Sequence, residues 1–196
     1  GYSPTEVSGR VTAAAGRTVH AIDGEPAAAV YNRWTAGAVA AALPEGGNVL
    51  GDTTLFPLGR EVGRFEQLPY YRLSHPEAIT AEGGLRLFSE IAVGDELVLM
   101  QGSRESLVSR AGRVAESAMR SRAMAPGDVA GALVIYCAGC MLTVQGEMDA
   151  VAASLRQALD GAPLLGTFTF GEQGCFREGE NYHGNLMISV VVFGRD

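Results

Sequence analysis

The stretch from Gly131 to Phe170 constrains this chain most. Gly131–Tyr136 is an unbroken apolar run, Glu147–Asp160 places Met148, Val151, Leu155 and Leu159 on one helical face, and Pro163–Phe170 is a second strand-like run. Strand, helix and strand in that order require a crossover, which makes the two strands parallel and ends both on one edge of a sheet. The unbroken run also predicts a strand buried on both faces. A last strand, Asn185–Phe193, running antiparallel, would start again from that edge.

Upstream of this unit, Ser103 is placed to cap a helix over Arg104–Met124 with Leu107, Ala111, Val114 and Ala118 on its inner stripe. The first hundred residues read mainly as β-structure. Val7–Ala13 and Thr18–Ile22 form a hairpin around Ala15-Gly16, and Asp23-Gly24 closes the next turn. A helix over Ala27–Leu43 is interrupted at Gly37, and Pro44 ends it. Leu55–Leu58, Phe65–Leu73, Leu85–Phe88 and Glu96–Met100 follow as strands, the last two paired across Ile91–Asp95. The expected fold class is α+β: a mixed, largely antiparallel sheet with about three helices, one βαβ unit over 131–170 and an antiparallel C-terminal strand. Residues 1–6 read as a linker or expression remnant. Residues 7–196 read as a single domain, mainly β over 7–101 and α/β over 102–196.

Composition narrows the function. With 196 residues, 47% of them hydrophobic, the chain can bury a core without disulfide staples. All 15 basic residues are arginine, so Schiff-base, P-loop and Ser-Lys chemistries are excluded. The 22 acidic residues leave a net charge of −7, which argues against nucleic acid or an anionic membrane as partner. No apolar run is long enough to span a bilayer, and three cysteines suit a reducing compartment, so a cytoplasmic location is expected.

The chemistry-bearing residues gather at the predicted edge. Cys137 and Cys140, with Gly139 between them, end the first parallel strand. Phe168, Gly171, Glu172 and Cys175 lie at and beyond the end of the second, and His183 and Asn185 open the last. Ligands of open α/β sheets bind outside such strand ends, so these nine residues form the candidate ligand site. Cys137 and Cys140 fit packing, metal binding or redox chemistry, and no evident helix start follows them. With Cys175 and His183 they make a Cys3His set that zinc would satisfy, although the spacing is not that of a compact finger. Glu172 sits between glycines, where it accepts either loop N–H groups or a ligand amine. His183 is a loop histidine, a ligand contact or an axial haem ligand. Arg177, Glu178 and Glu180 read as solvated loop charges. No nucleophile elbow, phosphate loop or helical histidine pair is present, so nothing demands an enzyme.

Val11-Thr12, the Ile22–Ala27 segment, Val134–Gly139 and the run Gly166–Glu172 followed by His183 together resemble the C-terminal domain of the FIST family, the F-box and intracellular signal transduction proteins. The likeness runs from about Val7 to Gly194. It implies a cytosolic sensory domain binding a small molecule such as an amino acid, partnered by an N-terminal FIST domain and by a histidine kinase or other signalling domain. Some relatives are described as haem-bearing nitric-oxide sensors, which makes haem, alongside zinc, a cofactor alternative. Gly171, Glu172 and His183 match the family pattern. Cys140 stands where arginine is frequent and Gly184 where asparagine is frequent, so ligand identity does not transfer. The resemblance also implies that an N-terminal half belongs with this chain.

Overall fold

The computed structural model describes residues 1–65, 68–175 and 181–195, without the side chains of residues 65, 68 and 175. Arg177, Glu178 and Glu180 lie outside the described residues. The chain divides into two compact units, one comprising 2–102 and 171–185, the other residue 1, 103–170 and 186–196.

The first unit is built on β1 (Tyr2–Ala15), β2 (Thr18–Ile22), β3 (Glu25–Pro26), β4 (Gly47–Asn48), β5 (Leu58–Phe65), β6 (Leu68–Ser74), β7 (Pro76–Ile79), β8 (Leu85–Leu87) and β9 (Glu96–Gly102). These form one sheet in the order β4-β7-β8-β2-β1-β9-β5-β6, with β3 paired to β2. The predicted β1–β2 hairpin is present, its turn carried by Gly16 at φ 57°. Residues 2–6, read above as a linker, begin β1 and pair with β9 from Tyr2 onward. Helix α1 (Ala27–Trp34) stops three residues before Gly37, whose φ of 95° no continuing helix accommodates. Val11, Val19, Ile22, Tyr31, Leu58, Leu85 and Leu97 are fully buried at the centre, and Tyr31 Oη donates to Phe56 O at 2.6 Å. A second helix, α2 (Leu50–Thr53), is one turn long.

Two strand expectations are corrected. β8 and β9 do not pair with each other: β8 joins β2 and β7, while β9 joins β1 and β5. The turn between them is tied to β1 instead, through Gly94 N–H to Val11 O at 2.8 Å and Val11 N–H to Asp95 O at 2.9 Å. Residues 58–74 form one long hairpin, so Leu58 opens a strand where the apolar run suggested an end. The unit is completed by a two-stranded hairpin, β10 (Glu172–Cys175) and β11 (Asn181–Gly184), within a segment that lacks sequence periodicity.

The second unit contains the predicted crossover. Strand β12 (Val129–Cys137) runs into helix α3 (Ala138–Thr143), then α4 (Met148–Ala158), then the parallel strand β13 (Leu164–Thr169). Strand β14 (Ile188–Gly194) pairs antiparallel on the other side of β12. Helix α5 (Arg104–Arg120) precedes them in sequence and packs on α4 and β14. Ser103 Oγ accepts the Ser106 N–H at 3.1 Å, the expected cap, and the helix ends four residues before Met124. Its inner stripe is Leu107, Ala111, Ala115 and Met119, with Val114 and Ala118 at the flanks. β12 is buried on one face only: Ala132, Val134 and Tyr136 are covered, whereas Leu133 and Ile135 are half-buried beside the exposed Leu165 and Val191. Tyr136 Oη donates to Leu107 O at 3.1 Å, which puts the helices on the covered face. Among the described residues no helix is long and apolar enough to cross a membrane.

Candidate functional site

The hairpin β5–β6 sets two arginines directly opposite one another, Arg60 and Arg72. Like charges in that register repel and destabilise the pairing. Burial, followed by the neighbouring Arg72 charge, pushes the Arg60 guanidinium below its usual value. Among the described residues the buried Nε–H of each side chain meets no acceptor. A buried donor left unpaired forfeits about 1–3 kcal/mol. Two such donors beside a like-charge pair are an unfavourable arrangement for stability alone.

Both arginines line a cleft of about 730 Å³ that Arg17, Phe88, Glu90, Asp95 and His183 also border. That is the size range of small-molecule sites. Each arginine meets a neighbouring side chain. Arg60 Nη1 donates to Asp95 Oδ2 at 2.9 Å, and Nη2 reaches Ser74 Oγ at 3.4 Å, which in turn meets Ser89 Oγ at 2.7 Å. Asp95 Oδ2 also accepts the Ala92 N–H at 3.0 Å, closing the turn that forms one wall. The Arg72 guanidinium lies over the Tyr182 ring at 5.0 Å, so β11 steadies it. Arg17 is half-exposed and 3.6 Å from Glu77.

The sequence-predicted residues divide between the units. In the first, Glu172 is opposite Gly184, and His183 is opposite Gln173. Glu172 is buried, and His183 is exposed at the cleft. Gly171 stands so near His183 that a β-carbon there would be 2.9 Å from Nε2. Buried Asn185 accepts the His75 N–H through Oδ1 at 3.0 Å and donates Nδ2 to Gly184 O at 3.0 Å, which fixes the end of the hairpin. The Cys175 side chain lies outside the described residues. In the second unit Cys137 ends β12, and Gly139 and Cys140 form the first turn of α3, a helix start the sequence reading lacks. Phe168 sits on β13 in register with Tyr136, their rings edge-on with centroids 6.3 Å apart.

Arg17, Arg60, Arg72 and Asp95 were not legible as site residues. The usable signal was in the strand register: the pairing that sets Phe65 opposite Leu68 also makes Arg60 and Arg72 cross-strand partners.

The FIST C domain model matches residues 27–175, well over half of the chain. The chain belongs to the FIST C family. FIST C domains are signal-transduction sensory modules, and the matched span contains Arg60, Arg72 and Glu172 of this FIST C domain. No curated protein and no solved structure matches the chain. The family resemblance raises haem and zinc as cofactors. Haem requires flat apolar walls and an imidazole with an open Nε2, whereas His183 Nε2 abuts Gly171 beside a wall of arginines, so these residues do not fit it. Among the described residues no three of His, Cys, Asp and Glu stand together as a metal site.

Proposed function

We propose that this FIST C domain is a sensory module that binds a small zwitterionic carboxylate, an amino acid, in the arginine-lined cleft. The observation that carries the reading is the cross-strand Arg60–Arg72 pair lining the cleft. A carboxylate between the guanidiniums offsets the like-charge repulsion and accepts charge-assisted hydrogen bonds from the guanidinium edges that face the cleft. Glu90 and Asp95, which also line the cleft, provide acceptors for an ammonium group. His183 and Phe88 border the remaining volume, where a side chain would lie. Binding rather than turnover is the proposed role. The signal passes to a neighbouring domain, either an N-terminal FIST domain or a histidine kinase, through differential affinity for two states of the His183 hairpin.

Titration calorimetry of the folded protein against a panel of amino acids tests this. At least one amino acid should bind, and Arg72→Gln should weaken it about tenfold or more, the scale of one charge-assisted hydrogen bond. Heat-silent titrations across the panel, or unchanged affinity in Arg72→Gln, would overturn the assignment.

A further inference from the structure

The second unit holds a separate chemical feature that the proposed sensing role does not use. Cys137 is the residue before the first turn of α3, and Cys140 is the third residue within it. Helix geometry puts two such Cα atoms about 5 Å apart, inside the range a disulfide spans. Both cysteines are buried. From α5, the buried Arg110 directs Nη2 to Cys140 Sγ at 3.1 Å and Nη1 to Leu186 O at 2.9 Å. Its guanidinium also lies 5.6 Å from the Tyr136 ring centroid. A guanidinium hydrogen-bonded to sulfur favours the anionic form, which is the nucleophile in thiol oxidation.

We infer that Cys137 and Cys140 are a peroxide-reactive dithiol, with Cys140 as the attacking sulfur and Arg110 as its positioning residue. The Cys140 thiolate attacks one oxygen of hydrogen peroxide. The O–O bond breaks, hydroxide leaves, and Cys140 becomes a sulfenic acid. The Cys137 thiol then displaces the sulfenic oxygen as water, and the S–S bond forms. The two sulfurs lose two electrons in total, and the peroxide takes them up. Cys140 is fully buried and Cys137 is 5% exposed, so the site selects an oxidant little larger than water and excludes bulky thiol reagents. Oxidation withdraws the anionic sulfur from Arg110, the residue that also holds the chain entering β14 at Leu186.

The test is a peroxide time course on the reduced full chain, read by peptide mass. Cleavage at Arg122 and Arg156 puts the pair in one peptide and Cys175 in another. The 123–156 peptide should lose two hydrogens and regain them with a dithiol reductant. Cys137→Ser should instead hold a sulfenic acid at Cys140, trapped when the oxidised protein is unfolded in dimedone, and Cys140→Ser should yield neither product. Arg110→Met should slow the reaction about tenfold or more, as expected for one lost charge-assisted hydrogen bond, and shift its pH profile upward, with Arg110→Lys restoring much of the rate. The proposal is overturned if the 123–156 peptide keeps its mass while the Cys175 peptide oxidises, or if Cys140→Ser reacts with peroxide as fast as the parent.

Discussion

Gly171 and His183 approach so closely that a β-carbon on the glycine would stand 2.9 Å from the imidazole Nε2. Gly171 also has φ 76°, a left-handed conformation that side chains disfavour. The hairpin therefore seats the ring on bare backbone at the rim of the cleft. Gly171→Ala should lose about 1–2 kcal/mol of stability from the backbone strain, and it should move the His183 resonances as the ring gives way. Chemical denaturation together with imidazole NMR shifts checks both effects. Unchanged His183 shifts would show that the ring does not rest there.

Glu90 is exposed and lines the cleft, where it can meet a ligand amine. Glu90→Gln should weaken an amino acid up to about fivefold, the scale of a screened, exposed ion pair. The same variant should leave the deaminated acid of the same carbon skeleton unaffected. Paired calorimetric titrations of the two compounds are the measurement. Equal losses for both would place the amine elsewhere.

His75 reports acid sensitivity of the first unit. Burial lowers its pKa from 6.5 to about 4, with a smaller opposing contribution from Nε2 bonded to Leu50 O at 3.2 Å. Between those values the unfolded chain takes up a proton that the folded chain refuses, so stability rises with pH. The contribution is complete above about pH 6.5 and disappears as pH falls toward 4, amounting to about 3 kcal/mol. Denaturant midpoints measured across this window should fall with acid, and His75→Gln should flatten the curve.

The crossover from β12 to β13 was readable because an apolar run, a helical stripe and a second run leave one topology open. Ser103 was equally readable, since a serine before an amphipathic stretch supplies the acceptor that the first turn lacks. The pairing of β8 with β9 was misjudged because short strands carry no record of their partners. Gly94 and Asp95 form a local turn either way, and only the bonds to Val11 show that β1 receives it. The hairpin of 172–184 gave no periodic signal, since glycine and charge dominate it. His183 and Glu172 were nevertheless singled out from the predicted sheet edge, and the family pattern includes both. The arginines were not, because an arginine in a strand ordinarily faces solvent, and their meaning depends on a cross-strand register that the sequence specifies weakly.

The reading rests on a carboxylate held between Arg60 and Arg72, and amidation tests that directly. Affinity for an amino acid that binds should be compared with affinity for its C-terminal amide, which has the same skeleton and amine but no negative charge. A drop of about tenfold or more in the parent protein, shrinking toward none in Arg72→Gln, is the predicted result. Equal affinity for acid and amide would contradict the account.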